Sequence, residues 1–382
     1  MTNKRTFCIK PWVELTIKTN GDIRLCCQSF ENSGFNSKSA SIQQWWNSEY
    51  VGNVRKQFLA GEQPEECKIC WGQEALGTES LRQSANRNYG IFEPDIEERL
   101  ISNNYPKSGP EEIDYQITNL CNLKCLMCHG GSSSAIVSEN KILQLIKREQ
   151  KSYNFEQAEI DSVKEWLLTK PRSINLRGGE LFMVPEIKEI LQFMVTNNLD
   201  KSVNVHITTN GTKFTSEWKE LLSTFSNLRI MLSLDSVGKM NDYIRFGSDW
   251  NKLEYITNDI SSMPNISFII HATIMNLNIL SIDKLISWCD QHNYPFNYDF
   301  LQIPPIMQVK NFPQQLIDLA KQNLTNINDL NGHANKILSV LNSLELLNDQ
   351  IEWQKFKDEI NMKDKFRKNN ILDVVPELIP YW

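Results

Sequence analysis

No segment of the 382-residue chain approaches the ~20 consecutive apolar residues needed to span a bilayer. The first residues, Met1-Thr-Asn-Lys-Arg-Thr-Phe-Cys8, are too polar and too few before the first cysteine to form a signal peptide. Lys and Arg nowhere gather into a basic run, and the net charge is −6, so the electrostatic footprint of a nucleic-acid-binding face is missing. Repeats and low-complexity tracts are absent as well. These absences predict a cytoplasmic globular protein with no membrane or nucleic-acid partner. Hydrophobic content of 41% and charged content of 23% are ordinary for such a protein. The length allows one large domain or two smaller ones around a sizeable core.

Cysteine is the residue type that is not scarce. There are nine, and eight of them lie before residue 130. A reducing compartment disfavours disulfides, so clustered cysteines read as metal ligands. Cys121-Asn-Leu-Lys-Cys125-Leu-Met-Cys128 has the spacing C-x3-C-x2-C and follows the apolar-alternating run Ile113-Asp-Tyr-Gln-Ile-Thr118. It therefore belongs at a strand-to-loop junction. Three thiolates suit an iron–sulfur cluster that keeps one iron open, or a zinc ion whose fourth ligand is His129. Cys289 lies in the apolar helical pattern Leu285-Ile-Ser-Trp-Cys and reads as a small core residue.

A second set of cysteines lies upstream, in a module spanning residues 1–75. Val13-Glu-Leu-Thr-Ile-Lys18 alternates as a strand, Thr19-Asn-Gly-Asp22 makes the turn, and Ile23-Arg-Leu25 returns to Cys26-Cys27. The hairpin brings Cys8 and Cys26 to one end. A helix is expected over Ser41–Leu59, followed by Cys67-Lys-Ile-Cys70. Four thiolates of this kind make a closed site, for structural zinc or for a cluster. Adjacent cysteines rarely both hold one cluster, which favours Cys26 over Cys27 as ligand. Cys27 is then the one open thiol near the metal sites, and a candidate hydrogen donor.

Residues 76–110 read as a helix and linker ending in Tyr-Pro-Lys-Ser-Gly-Pro110. From 111 to about 305 a strand–helix rhythm follows. Strands are expected at Ile113–Thr118, Ser173–Leu176, Val203–Thr208, Leu228–Ser233, Ile266–Thr273 and Phe296–Leu301. Helices are expected at Ile142–Glu149, Val184–Val195, Trp218–Phe225, Leu253–Met263 and Ile282–Gln291. Six strands alternating with helices imply an α/β fold with a parallel sheet, whose active site lies at the C-terminal strand ends. Residues 306–382 read as a helical extension, with helices at Pro313–Leu324, Ala334–Leu347 and Trp353–Lys368 and an apolar terminus that packs on the body.

The C-x3-C-x2-C loop with Met127 before its last cysteine resembles the signature of the radical S-adenosylmethionine (radical SAM) superfamily. The pattern Cys8…Pro11-Trp12…Asn20-Gly21…Leu25-Cys26 with a later C-x2-C is similar to the twitch domain, a shortened SPASM domain that binds an auxiliary [4Fe–4S] cluster; here it precedes the barrel instead of following it. The resemblance implies a partial (β/α)6 barrel carrying a small N-terminal hairpin/helix twitch domain and a helical C-terminal extension. It implies a SAM-cleaving [4Fe–4S] cluster on Cys121, Cys125 and Cys128, and a second [4Fe–4S] cluster on Cys8, Cys26, Cys67 and Cys70.

Further matches follow in chain order. Arg177-Gly178-Gly179-Glu180 resembles the Gly-Gly-Glu motif that binds the SAM amino group, with Leu181 where proline is usual. Thr208-Thr209-Asn210-Gly211 and Leu232-Ser233-Leu234-Asp235-Ser236 resemble segments that touch SAM in twitch-bearing relatives such as the molybdenum-cofactor cyclase. Arg245 resembles an arginine that pairs with the SAM carboxylate, a target suited to a guanidinium fork. The SAM-binding set is thus Met127, Gly178, Gly179, Glu180, Thr209, Asn210, Ser233, Asp235 and Arg245. Arg177, Gln116, His206, His271 and Asp299 are candidates to face a substrate.

In the family, an electron from the cluster splits SAM to a 5′-deoxyadenosyl radical that takes hydrogen from a C–H bond. The auxiliary cluster supports oxidation or bond formation. The implied partners are a flavodoxin- or ferredoxin-type electron donor and a substrate. That substrate is a ribosomal peptide or, alternatively, a small molecule such as an aminocyclitol, sugar or nucleotide. A non-catalytic iron–sulfur or zinc scaffold is the reading of another class; it gives Gly178-Gly179-Glu180 and Arg245 no role.

Overall fold

The computed structural model describes residues 6–29, 33–75, 79–89, 109–145, 155–347 and 350–382. Eight strands form one open, mostly parallel sheet: β1 Glu14–Ile17, β2 Ile23–Arg24, β3 Glu112–Gln116, β4 Ser173–Arg177, β5 Asn204–Thr209, β6 Leu228–Ser233, β7 Ile266–Ile274 and β8 Phe296–Phe300. Their order is β2-β1-β3-β4-β5-β6-β7-β8. The α/β expectation holds, and β3 to β8 fall within two residues of the six expected strands.

By contact density the chain divides into two compact units. The first comprises residues 1–119, 152–207 and 224–228. Here β1 pairs antiparallel with β2 and parallel with β3, so the N-terminal hairpin is built into the sheet. Strand alternation sorts its side chains. Leu15, Ile17, Ile113, Tyr115, Ile174, Leu176, Val205 and Ile207 are at most 2% exposed and form the apolar core. The opposite parity is polar: Thr16, Asp114, Asn175 and His206 are register partners across four strands, and Gln116 pairs with Arg177.

The expected helix over Ser41–Leu59 is two helices, Ile42–Trp46 and Glu49–Ala60. Ser41 Oγ accepts from Gln44 N, and Ser48 Oγ accepts from Val51 N, each an N-cap that starts a new helix. The helix expected from residue 76 is Leu81–Asn88; residues 90–108 of the expected linker lie outside the described residues. An unexpected helix, Gln157–Leu167, buries Ile160, Val163, Trp166 and Leu167.

The second unit comprises residues 120–151, 208–223 and 229–382. Helices Trp250–Ser261 and Ile282–His292 bury Leu253, Ile260, Leu285 and Ile286. Cys289 is 1% exposed, a core residue as expected. A helix spans Ser134–Ile142, capped by the Ser133 side chain, and residues 146–149 of the helix expected over Ile142–Glu149 lie outside the described residues. The C-terminal helices occur at Gln314–Thr325, His333–Ser343 and Gln350–Arg367. Trp382 packs against Trp353 and Phe356 of helix Gln350–Arg367, within the C-terminal extension. Among the described residues, no helix is long and apolar enough to cross a membrane.

Candidate functional site

The three-cysteine loop sits in the second unit, pinned by backbone on both sides. Lys124 N donates to Phe246 O and Leu126 N to Ile244 O, both at 2.9 Å, so the loop runs alongside residues 244–246 like a short extra strand. Downstream, Ser134 Oγ accepts from Cys121 N at 3.2 Å, and Ser133 Oγ donates to Leu123 O at 2.9 Å. Asn210 Nδ2 donates to Cys121 Sγ at 3.8 Å and to Asn122 Oδ1 at 3.3 Å. The end of β5 therefore steadies the first cysteine.

Because the loop lies along residues 244–246, Arg245 comes within electrostatic reach of Cys125 and Cys128. Arg245 Nε lies 2.8 Å from Asp235 Oδ2, and both side chains are buried. Asp235 in turn accepts from Thr273 N through Oδ1 and from Asn278 Nδ2 through its carbonyl. The arginine expected to meet a carboxylate on SAM is thus already paired with Asp235. Burial raises the Cys125 thiol, against the opposing charge of Arg245, and pushes Cys128 up to about 11. Buried protonated thiols beside a fixed cation suit a metal that displaces their protons and leaves net negative charge.

In the first unit, Gly178-Gly179-Glu180 forms the turn after β4. Gly178 has φ +150°, and a Cβ there would lie 2.6 Å from Thr118 O, while Gly179 N donates to that same oxygen at 2.7 Å. Only glycine fits. Glu180 is fully buried and its carboxylate caps the next turn by accepting from Phe182 N at 3.1 Å. Alanine at Gly178 combines a disfavoured φ with a clash against immovable backbone. It is expected to lower stability by on the order of 2 kcal/mol or more, read as the shift in a urea-unfolding midpoint.

The N-terminal cysteines are also brought together. Burial pushes the Cys8 thiol up to about 12, and it also raises Cys26, Cys67 and Cys70. Cys8 lies within electrostatic range of Cys70, Cys67 and Cys26, and Cys67 within range of Cys70. Cys8 is held by its backbone neighbours: Phe7 O accepts from Arg82 Nη1 at 2.6 Å and from Asn86 Nδ2 at 2.7 Å, and Ile9 N donates to Asn86 Oδ1 at 3.0 Å. Arg82 is fixed by two hydrogen bonds to Glu74 and, with Lys10, supplies positive charge beside the thiols. Four thiols with two flanking cations fit an anionic iron–sulfur cluster. Among the described residues, no three His, Cys, Asp or Glu side chains converge as on one ion; a cubane cluster takes its thiolates farther apart, each on a different iron.

Cys26 and Cys27 lie within electrostatic range of each other and of Lys10, but their further surroundings differ. Cys26 is in range of Glu14 and Cys8, whereas Cys27 is beside Arg177 and its carbonyl accepts from Lys18 Nζ at 2.9 Å. Arg177 grips Asp114 with Nε and Nη2, and Thr16 Oγ1 donates to Asp114 Oδ2 at 3.2 Å. Lys18, Asp114, Asn122, Glu139 and Arg367 escaped the sequence reading. Strand parity puts Asp114 on the same face as Gln116, a signal present in the sequence, whereas Lys18 joins that face only through the pairing of β1 with β3. Elsewhere, His271 Nδ1 lies 2.7 Å from Asn297 Oδ1 and its Nε2 lies 3.7 Å from the exposed Asp299. These two candidates share the β7–β8 edge. His206 sits in the polar row of β5 as the register partner of Asn175.

A family model described as the Radical SAM superfamily matches residues 115–271, and one described as an iron–sulfur cluster-binding domain (SPASM) matches residues 8–71. The chain carries a radical SAM domain and, upstream of it, an iron–sulfur cluster-binding domain. The first match holds the three-cysteine loop and every expected SAM-binding residue; the second holds Cys8, Cys26, Cys27, Cys67 and Cys70. A radical SAM domain implies a [4Fe–4S] cluster and SAM, and a SPASM domain implies auxiliary iron–sulfur binding.

Among curated relatives, the chain is 28% identical over 187 residues to the sporulation killing factor maturation protein SkfB of Bacillus subtilis (strain 168), covering 47% of this chain and 40% of that one. It is 31% identical over 137 residues to the antilisterial bacteriocin subtilosin biosynthesis protein AlbA of the same organism, covering 36% and 26%. It is 31% identical over 128 residues to the AdoMet-dependent heme synthase of Methanosarcina barkeri (strain Fusaro / DSM 804), covering 34% and 32%. The matches thus span less than half the length of these relatives. Streptococcus suis SuiB bound to S-adenosylmethionine aligns with 13% identity and a TM-score of 0.42 over 86% of this chain and 68% of that one.

Proposed function

We propose that this radical SAM protein is an enzyme that reductively cleaves SAM and modifies a ribosomal peptide. The observation that carries the proposal is two separate thiol sets in one chain: three cysteines in one loop, and Cys8 with Cys26, Cys67 and Cys70 in electrostatic range of it. When bound, the clusters and SAM supply a 5′-deoxyadenosyl radical and an acceptor for the electron left on the substrate. The chain's residues take the remaining tasks. Cys121, Cys125 and Cys128 would hold the cleaving cluster. Gly178, Gly179 and Glu180 serve the SAM amino group, and Met127, Thr209, Asn210, Ser233, Asp235 and Arg245 line its other parts. Cys8, Cys26, Cys67 and Cys70 hold the auxiliary cluster. A flavodoxin- or ferredoxin-type protein delivers the electron.

Peptide modification is favoured because two relatives are named for the maturation of a killing factor and the biosynthesis of a bacteriocin. The heme synthase relative supports the second reading, the same chemistry on a small molecule. Lys18, Gln116 and Arg177 lie at the C-terminal ends of parallel strands, where barrels keep their reactants, and are assigned to the substrate. Burial, and then the Arg177 charge, lower the Lys18 pKa. Arg177→Lys keeps the charge and loses the fork onto Asp114. It is expected to retain SAM cleavage and lower product formation by roughly 10- to 100-fold, the size of one charge-assisted hydrogen bond.

The test of the proposal is anaerobic reconstitution followed by dithionite and SAM. Release of 5′-deoxyadenosine at about eight irons per chain, the sum of two four-iron clusters, supports it. Full iron with no SAM cleavage overturns it and leaves a scaffold protein.

A further inference from the structure

Residues 306–382 lie outside both family matches, yet one of their side chains reaches the cluster loop. Arg367, at the end of helix Gln350–Arg367, donates from Nη2 to Lys124 O at 2.9 Å, and Lys124 lies between the first two loop cysteines. The same guanidinium binds Glu139 through Nε at 2.9 Å and Nη2 at 2.6 Å; the two side chains are 2% and 0% exposed. We propose that Arg367 is a positioning residue for the cluster loop, and that the C-terminal helix is the latch that fixes the loop's iron-binding shape. The proposal rests on the radical SAM reading of that loop.

The contacts around Arg367 form a closed ring. Glu139 belongs to helix Ser134–Ile142, whose first residues, Ser133 and Ser134, hold Leu123 O and Cys121 N. The Lys124 peptide is held at both ends, its N–H by Phe246 O and its carbonyl by Arg367, while the Arg367 guanidinium lies 4.9 Å over the Phe246 ring. One turn earlier, Asp364 accepts from Tyr243 Oη at 2.8 Å and from Ile371 N at 2.7 Å, which ties the helix end to Gly238–Ile244, the segment that leads into the loop's backbone partners. A buried ion pair is costly to desolvate and is poor support for stability alone; fixing one arrangement is the use that such pairs serve best. Partners behind metal ligands typically change metal affinity or activity by about 10- to 100-fold when removed.

The deciding variant is the double substitution Glu139→Gln/Arg367→Met, which removes both buried charges and the tether while keeping side-chain volume. It is compared with the parent as reconstituted holoprotein by thermal unfolding, iron release to a chelator, and electron paramagnetic resonance of the reduced clusters with and without SAM. The expected result is parent-like unfolding, with the half of the iron held by the loop leaving about 10- to 100-fold faster and its SAM-dependent spectral change lost. The auxiliary half leaves at the parent rate. Release of both halves at parent rates with an unchanged spectrum overturns the proposal. If the double variant melts well below the parent, Arg367→Lys decides in the same assay, since lysine keeps a charge for Glu139 and loses the two-nitrogen fork that aims Nη2 at Lys124 O. A parent chain that takes up no iron at the loop fails the radical SAM reading instead, which separates the two failures.

Discussion

Alanine in place of Cys125 is expected to give a folded chain that keeps about half its iron, roughly four of eight atoms, and releases no 5′-deoxyadenosine. Cys125 is the middle cysteine of the loop, 9% exposed, and lies within electrostatic range of Arg245, Cys128, Cys121 and Asp235. Removing its sulfur leaves two thiols, Cys121 and Cys128, too few to hold a cubane with a single open iron. Folding survives because the loop's anchors are backbone and side-chain bonds of its neighbours: Lys124 N, Leu126 N, Leu123 O and Asn122 do not use the thiol. The measurement is iron per chain together with 5′-deoxyadenosine by chromatography after dithionite reduction. SAM cleavage at the parent rate in this variant removes the loop from catalysis.

The parts legible in the sequence were those carried by local pattern. Alternation in Leu228–Ser233 and Ile266–Ile274 marks strands because one parity is buried, and a strand needs only its own residues to show that. The thiol spacings were legible for the same reason: Cys121, Cys125 and Cys128 share one loop, and Cys67 and Cys70 one helical turn. Helix ends were less legible. Ser48 splits Ser41–Leu59 in two because a serine cap competes with helix continuation, a choice that depends on how Trp45, Trp46 and Val51 are buried.

Pairings across long separations were not legible at all. Arg367 and Glu139 are 228 positions apart, and neither sits in a motif. The sequence offers Arg245 to a carboxylate on SAM, and its ion pair with Asp235 depends on the end of helix Gly238–Ile244 meeting the segment after Leu228–Ser233. The parallel pairing of β1 with β3 was hidden because the ninety-odd residues between them carry no signal of which edge the hairpin joins.

The pair Cys26 and Cys27 offers the other large effect. Cys26→Ala is expected to lower iron to about four per chain and to end product formation, while SAM cleavage continues on the loop cluster. Cys27→Ala is expected to keep all of the iron. The difference follows from where the two thiols go at the end of β2. Cys26 lies within electrostatic range of Cys8, which is itself in range of Cys67 and Cys70, and Cys27 lies beside Arg177, the residue that holds Asp114. A cluster that loses one of four thiolates in a buried site is left with an iron exposed to water and chelators, so Cys67→Ala should behave as Cys26→Ala does. The conservative Cys27→Ser keeps a hydrogen-bonding group for Arg177 and removes only the S–H. Retained product yield in that variant dismisses Cys27 as a hydrogen donor, whereas loss of product with full iron and undiminished 5′-deoxyadenosine makes the thiol part of the chemistry on the substrate.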